Sequence, residues 1–469
     1  MYYCLLWDWA CDLLKDSGVG PYFVFNAQRL SKFDGASFVH FINEPWTANE
    51  SWDAESALPS DDKVLAFVLY SDKAKLSLFG QQKGYPVVAQ IANLPTWIHN
   101  GEGLGGGHVV GWFLIVKEDK KYSGKKLFAN FKNHIWHETF KKILDTILEY
   151  LKIGHWLIMK SNNKEQILVK QGLHDVDSAF QEVRNMDVYQ ALCWDSLCAN
   201  CAGKCGDHLW GELLRILETM GKVEQNLNVM PCWCSLNHFE EVLSVSYTDG
   251  QKFEDLSKIF VFACHDIFPH EMEKESYLLL CCLHAYIKFD IYTTLKLHTT
   301  HTLATGQELS LTVSRPEICG EDATYRENWN FPKNHTHMHV FKDIKAKGVT
   351  CNFNTKPNEK MHDPLKEAYQ KQTNFRDIAQ QILNINHLRL VLEHIHCRIT
   401  EYNAYRLTGK LTNLDNLEAI TDEPEEEFFH VKFGSEMKEP LTIEDIEKKS
   451  VTDNVFNQFH GKLSEFLNK

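Results

Sequence analysis

Three apolar runs follow one another between residues 64 and 116: Val64-Leu-Ala-Phe-Val-Leu-Tyr70, Tyr85-Pro-Val-Val-Ala-Gln-Ile91 and Val109-Val-Gly-Trp-Phe-Leu-Ile-Val116, with glycine-containing turns between them. Short runs rich in Val, Ile and aromatic residues between turn signals read as strands. Three in succession predict a β-meander. The period then changes. Over 131–151, Trp136, Phe140, Ile143, Leu144, Ile147, Leu148 and Leu151 recur at helical spacing. The order is therefore three strands and then a helix. Beyond about residue 176 the pattern is mostly helical, at 208–220, 237–245, 253–264, 277–294 and 364–369.

A chain of 469 residues exceeds what one small core needs, so several subdomains are expected. With 49 basic and 63 acidic side chains the formal charge is −14, which excludes a generic basic wrapper of nucleic acid. The acid is concentrated in 411–449, where twelve acids face four bases for a net of −8. Its centre, Thr421-Asp-Glu-Pro-Glu-Glu-Glu427, reads as a solvated linker that ends the main body near residue 405. After it, Val455, Phe456, Phe459, Leu463 and Phe466 predict a short amphipathic helix. No run reaches the roughly 18 uncharged apolar residues of a membrane span. Asp8 and Asp12 break the first twelve residues, which also lack a basic leader, so no signal peptide is expected. Fourteen cysteines in such a chain read as reduced thiols and an intracellular location.

Gly101-Glu-Gly-Leu-Gly-Gly106 fits the dinucleotide pattern G-x-G-x-x-G, but a strand-like run follows where a helix should cradle the pyrophosphate. A hairpin turn is expected instead, and no nucleotide cofactor. Cys198, Cys201, Cys205 and His208 have the residue types of a zinc site, yet all fall within eleven residues, which favours buried thiols over zinc. His335, His337 and His339 alternate. On a strand they would share one face as metal ligands or phosphate contacts, while the pattern favours ordinary hydrogen-bonded histidines. Lys120, Lys121, Lys125, Lys126 and Lys132 are interleaved with Phe128 and Phe131 and are candidates for contact with a phosphate backbone; a solvated surface is the alternative.

Tyr70-Ser-Asp-Lys-Ala-Lys-Leu-Ser77, Gly84-Tyr-Pro-Val-Val-Ala-Gln-Ile-Ala-Asn-Leu-Pro95 and Asn100-Gly-Glu-Gly-Leu-Gly-Gly-Gly107 resemble the Plavaka-type transposases of fungal genomes, relatives of the CACTA elements. The resemblance continues through Asn130-Phe-Lys-Asn-His-Ile-Trp-His137, Gly206-Asp-His-Leu-Trp210, Tyr247-Thr-Asp-Gly250, Trp329-Asn-Phe-Pro-Lys-Asn-His335 and Asn352-Phe-Asn-Thr-Lys-Pro-Asn-Glu-Lys-Met-His362, spanning most of residues 20–400. It implies a DDE transposase: an RNase H-like core of mixed sheet and flanking helices, a large and mostly helical insertion, and a helical C-terminal part. It also implies DNA as partner, self-association, a nuclear location, and Mg²⁺ or Mn²⁺ as cofactor. Two hard cations about 4 Å apart need carboxylate oxygens from several elements, one cation polarising the attacking oxygen and the other the leaving one.

Carried over by position, the resemblance makes Asp72 the first acid and Glu359 the last, both catalytic and metal-binding. His335, His337, His362, Lys73, Lys75, Lys333 and Lys360 become candidates for site support or phosphate contact. Two positions depart from the family. Where the second acid should follow a strand, the chain runs from His155-Trp156 almost directly to Lys164, and Asn162 or Asn163 stands in its place. Asp175, Asp177 and Asp187 have no spacing that recommends one as a replacement. The family's Asp-x-x-His string reads Asp195-Ser-Leu-Cys198. The expected domains are an N-terminal extension (1–60), the first part of the core (61–165), the insertion (166–330), the core completion (331–405) and an acidic linker with its helix (406–469). The expected function is a transposase-derived protein with impaired catalysis, or a catalytically dead remnant that only binds DNA or protein.

Overall fold

The computed structural model describes residues 2–59, 62–77, 80–117, 119–148, 179, 191–211, 223–230, 236–239, 242, 250–264, 273–314 and 335–412, and positions 447, 448, 458, 460–462 and 464. The chain divides into two compact units, 1–402 and 403–469. In the second unit the described residues comprise the end of a long helix and a helical turn where the His460 amide donates to Glu447 Oε1 at 3.0 Å.

The described strands are β1 (Tyr2–Tyr3), β2 (Leu30–Phe33), β3 (Phe38–Ile42), β4 (Phe67–Ser71), β5 (Ala74–Lys75), β6 (Lys83–Gly84), β7 (Pro86–Ile91), β8 (His108–Trp112) and β9 (His298–Thr299). The helices up to residue 228 are α1 (Leu6–Lys15), α2 (Asn49–Ala57), α3 (Thr96–His99), α4 (Lys126–Leu148), the wide-turned α5 (Ser196–Trp210) and α6 (Val223–Asn228). Those after it are α7 (Gly250–Ala263), α8 (Glu273–Thr293), α9 (Thr300–Ser314), α10 (Val340–Lys347), α11 (Lys356–Lys360), α12 (His362–Gln372) and α13 (Ile378–Thr412).

The three expected strands form an antiparallel meander, and the chain's first residues add a fourth, giving the order β1-β8-β7-β4. Tyr70 pairs with Val88, and Tyr3 with Gly111. A register shift at Val87/Val88 kinks the β7–β8 pairing. Every residue of β7 is buried, which explains a run without polar alternation: both faces of the sheet are covered. On one face Val87, Ala89 and Ile91 pack against Leu6, Trp9 and Leu13 of α1 and Phe140, Ile143 and Leu144 of α4. On the other, Val88, Val109 and Trp112 pack against Leu365 and Ala368 of α12 and Ile382 of α13. The result is a mixed α/β architecture with small antiparallel sheets and a helical C-terminal part.

A second hydrophobic centre lies among helices. Cys205, Leu209 and Trp210 of α5 pack with Leu227 of α6, Phe253, Leu256 and Phe260 of α7, and Leu283 and Tyr286 of α8. A Cβ at Gly206 would come within 2.7 Å of the Phe253 ring, so a side chain there would displace the ring. The expected helices at 253–264, 277–294 and 364–369 coincide with α7, α8 and α12. Most of 208–220 and of 237–245 lies outside the described residues, as does most of 454–469.

Candidate functional site

Asp72 stands at the exposed end of β4, where a strand terminus presents a carboxylate without deep burial. Its Oδ1 accepts the Lys73 amide at 2.6 Å, while Ser71 Oγ donates across the pair to Pro86 O at 2.9 Å. Lys73 Nζ lies 5.6 Å from the Tyr85 ring centroid, and Trp136 Nε1 donates to the Tyr85 hydroxyl at 3.2 Å. Burial, with the Asp72 charge adding to it, raises the Tyr85 phenol above its ordinary range.

The far end of the chain meets this corner. His362, the first residue of α12, sets its ring 6.0 Å from that of Tyr70. Burial lowers its pKa below the ordinary histidine range, Asp72 opposing and Lys366 adding to that shift. The ring is therefore neutral at pH 7, and its Nε2 is buried with no hydrogen-bond partner. Glu359 lies three residues earlier on α11, and the helical backbone of Met361 between them keeps the two at i, i+3 spacing. Asp72 and His362 thus share one corner of the sheet, with Glu359 on the adjoining helix. Lys75 and Lys360 are exposed nearby in sequence, on β5 and α11, whereas Lys333 lies outside the described residues.

While α12 packs on the sheet through Leu365 and Ala368, α11 is joined to it by a polar contact that sequence patterning did not single out. Gln90, buried near the end of β7, donates through Nε2 to His99 O at 2.6 Å and to Asn100 Oδ1 at 3.1 Å. Its Oε1 accepts from Asn358 Nδ2 at 3.3 Å, across 268 positions of sequence. The only available signal is a glutamine inside an apolar run, since a buried amide needs partners. Gly107 makes the approach possible: a Cβ there would fall 2.7 Å from Met361 Sδ. The glycine-rich segment 101–107, expected as a hairpin turn, instead links α3 to β8, with Gly107 against Met361 between α11 and α12 and with Gly103 and Gly105 at positive φ.

From the helical side, Asp195 accepts from Thr355 Oγ1 at 2.7 Å, one residue before α11, and Lys356 at the start of α11 pairs with Glu254 of α7. Burial would raise the Glu254 carboxyl, but Lys356 and Lys258 outweigh it and hold that carboxyl below its usual range. Asp195 therefore supports the helix that carries Glu359. The side chain of Cys198, its partner in the degenerate string, lies outside the described residues, as does that of His208. Cys201 and Cys205 of α5 are both buried, and burial pushes the Cys205 thiol up to about 12 and Cys201 well above the ordinary range, so both stay protonated.

The alternating histidines need correction. Residues 335–339 form a helical turn rather than a strand, so period two does not align their rings. His337 turns inward, its Nε2 donating to Asn200 Oδ1 at 3.0 Å between the rings of Trp194 and Phe289. Asn200 Nδ2 in turn donates to Asp290 Oδ1 at 2.7 Å. His335 and His339 remain exposed, their Nε2 atoms 3.2 Å apart. The helical spacing i, i+4 brings these two together and separates them from His337. His337 is thus a core hydrogen-bonding residue.

A separate basic surface precedes and begins α4. Lys121 and Lys125 place Nζ 5.4 and 5.3 Å from the Tyr122 ring, and Lys132 lies 5.2 Å from Phe128. Phe128 stacks on Phe131 at 6.4 Å, and Tyr122, Leu127 and Phe131 are exposed. Lys120 is exposed on the preceding loop, and Lys126 is the first residue of the helix. Ammonium groups over exposed aromatic faces can meet phosphates while leaving ring surface for a base.

Asn162, Asn163, Asp175, Asp177 and Asp187 lie outside the described residues. Among the described residues no group of three or more His, Cys, Asp or Glu side chains is placed to hold a metal ion. Among the described residues no helix is long and apolar enough to cross a membrane.

The model of the Plavaka transposase family matches residues 1–172. That region contains the whole four-stranded sheet, Asp72, the basic aromatic surface and α4, and over it the resemblance read from the sequence holds. The match ends before Glu359, whose assignment rests on the motif around it. No curated protein and no solved structure matches the chain.

Proposed function

We propose that this transposase-derived protein acts on DNA through an RNase H-like core whose strand-cleaving chemistry is impaired. The observation that carries the reading is the placement of Asp72. It ends the first strand of an antiparallel meander that a long helix follows, within the region that matches the transposase family, and the helix pair bearing Glu359 and His362 is latched to the same sheet. In this reading the lysines of 120–132 meet phosphates, the exposed rings beside them accept stacking, and Asp195 and Gln90 position α11.

Two divalent cations of the Mg²⁺ or Mn²⁺ type would need several carboxylates from different elements. Among the described residues no cluster of three or more such groups forms, and the segment where the second acid is expected lies outside them. What supports impairment is the sequence, which has asparagine at 162 or 163 in that acid's place. The same facts favour the second reading, a remnant that binds DNA and cuts nothing.

Labelled duplex DNA offered with Mg²⁺ or Mn²⁺ to the wild-type chain, Asp72→Ala and Glu359→Ala tests both. Absent or feeble nicking in all three, with DNA retained, is the expected result. Robust wild-type cleavage lost in both variants would overturn the impairment. In the binding arm, Lys121→Glu with Lys125→Glu is expected to weaken DNA about tenfold or more and to flatten the salt dependence by about two contacts. A wild-type chain that does not retain DNA would overturn the reading as a whole.

A further inference from the structure

We propose that residues 388–402 of α13 form a coiled-coil seam through which two copies of this chain pair in parallel. The inference does not depend on the nuclease reading. Leu388, Leu392, Ile395, Ile399 and Tyr402 are spaced four, three, four and three apart, the heptad rhythm of 3.5 residues that supercoiled helix pairs use. All five, with Val391 beside them, are exposed, the fractions running from 39% at Val391 to 64% at Leu392.

A helix lying on a protein ordinarily buries its apolar stripe and shows its polar one. Along this stretch of α13 no side chain is buried, and the apolar stripe is as open as the polar residues. Polar side chains hold it to the body: His394 Nδ1 lies 3.0 Å from Asp16 Oδ2, Ser17 Oγ donates to Glu401 at 2.7 Å, and Arg398 Nη1 donates to Ser17 Oγ at 2.9 Å. Six residues before the seam begins, Ile382 is still fully buried against the sheet. The apolar stripe is left facing outward.

The area and the charges fit a second copy. Six large side chains exposing roughly 80 Å² each give on the order of 500 Å² per copy and about 1,000 Å² for the pair, the range of a specific but weak interface. With the seam positions as the heptad core, a parallel in-register pair sets Asn384 of one copy opposite Arg389 of the other, and Val391 opposite His396. No like charges face each other there, and Arg398 is already turned onto its own chain. One stripe serving both copies is the self-complementary patch a two-fold pair requires.

Sedimentation velocity of the whole chain tests this. The wild type is expected to pass from monomer to dimer over about 1–100 µM, and Leu392→Lys with Ile399→Lys to weaken pairing at least tenfold. Both positions are exposed, and an unchanged circular dichroism melt would show the variant folded. As an independent readout, Ile395→Cys in a Cys397→Ser background is expected to form an intersubunit disulfide under mild oxidation, whereas the exposed Cys397 of the wild type, on the outer side of the heptad, is not. A wild type that stays monomeric across this range overturns the proposal. So does a dimer that survives both lysines, which would assign pairing to another surface, or a failure of Ile395→Cys to cross-link.

Discussion

The two faces of the central sheet are covered in different ways. One is closed by α1 and α4, close in sequence to the strands they cover, through aliphatic and aromatic packing: Phe140 meets Phe113 at 5.5 Å and stacks on Trp136 at 5.2 Å. The other is closed by α11, α12 and the start of α13, which arrive more than 240 residues after β8 and add, to the apolar packing of Leu365, Ala368 and Ile382, the polar joints Gln90 to Asn358 and Asn386 to His108. Apolar packing is tolerant of register, whereas a buried amide with defined partners is not. The difference teaches that the local face supplies cohesion and the distant face supplies position, and the candidate site belongs to the distant face.

Breaking the local face should cost most. Phe140→Ala empties the aromatic cluster and is expected to lower stability by about 3–5 kcal/mol, read by urea unfolding followed through tryptophan fluorescence. The next effect concerns the helical side that grips α11. Burial, reinforced by Glu254 and opposed by Lys356, Lys258 and Asn200, raises Asp290 from 3.8 to about 6. The fold favours its neutral form, so its contribution is complete below pH 4 and is lost as pH rises through about 6. A shift of this size corresponds to something on the order of 3 kcal/mol. Asp290→Asn should therefore flatten the pH dependence of stability between pH 4 and 6; a variant that retains the wild-type slope there would assign it to other groups.

Gln90→Leu separates the two faces more finely. It leaves Asn358 Nδ2 and the His99 carbonyl without this partner, at a cost of about 1–3 kcal/mol. Limited proteolysis should then open 356–412 first, while α1 and α4 stay protected; equal loss of both would mean that the two faces unfold as one. The smallest change is expected at the site itself. Asp72→Asn alters an exposed carboxylate and should shift stability by no more than about 0.5 kcal/mol in thermal unfolding, so any effect it has on DNA chemistry can be read without correction for folding.

The sheet was legible because its strands are apolar, short and consecutive, and α4 because Trp136, Phe140, Ile143 and Leu144 keep the helical period. Fold features that join remote segments were not. Nothing in the spacing of Gln90 and Asn358, or of Glu254 and Lys356, announces that they meet, since only the folded chain brings them within reach. The shared face that alternation offers His335, His337 and His339 does not form, because the segment is helical and alternation aligns side chains only on a strand; His337 is an ordinary hydrogen-bonded histidine. Asp72 was readable as a strand-end carboxylate, and its setting beside His362 required the long return of the chain to the sheet.

That long return has a consequence for synthesis. Val88, Val109 and Trp112 are made early, yet Leu365 and Ala368, which cover them, follow roughly 250 residues later. At about 5–20 residues per second, the ribosome leaves this greasy surface bare for roughly 12–50 s on every nascent chain. During that interval the half-finished protein is a substrate for chaperones and a hazard to its neighbours, so in cells its yield should depend on translation speed and holdase supply as much as on final stability.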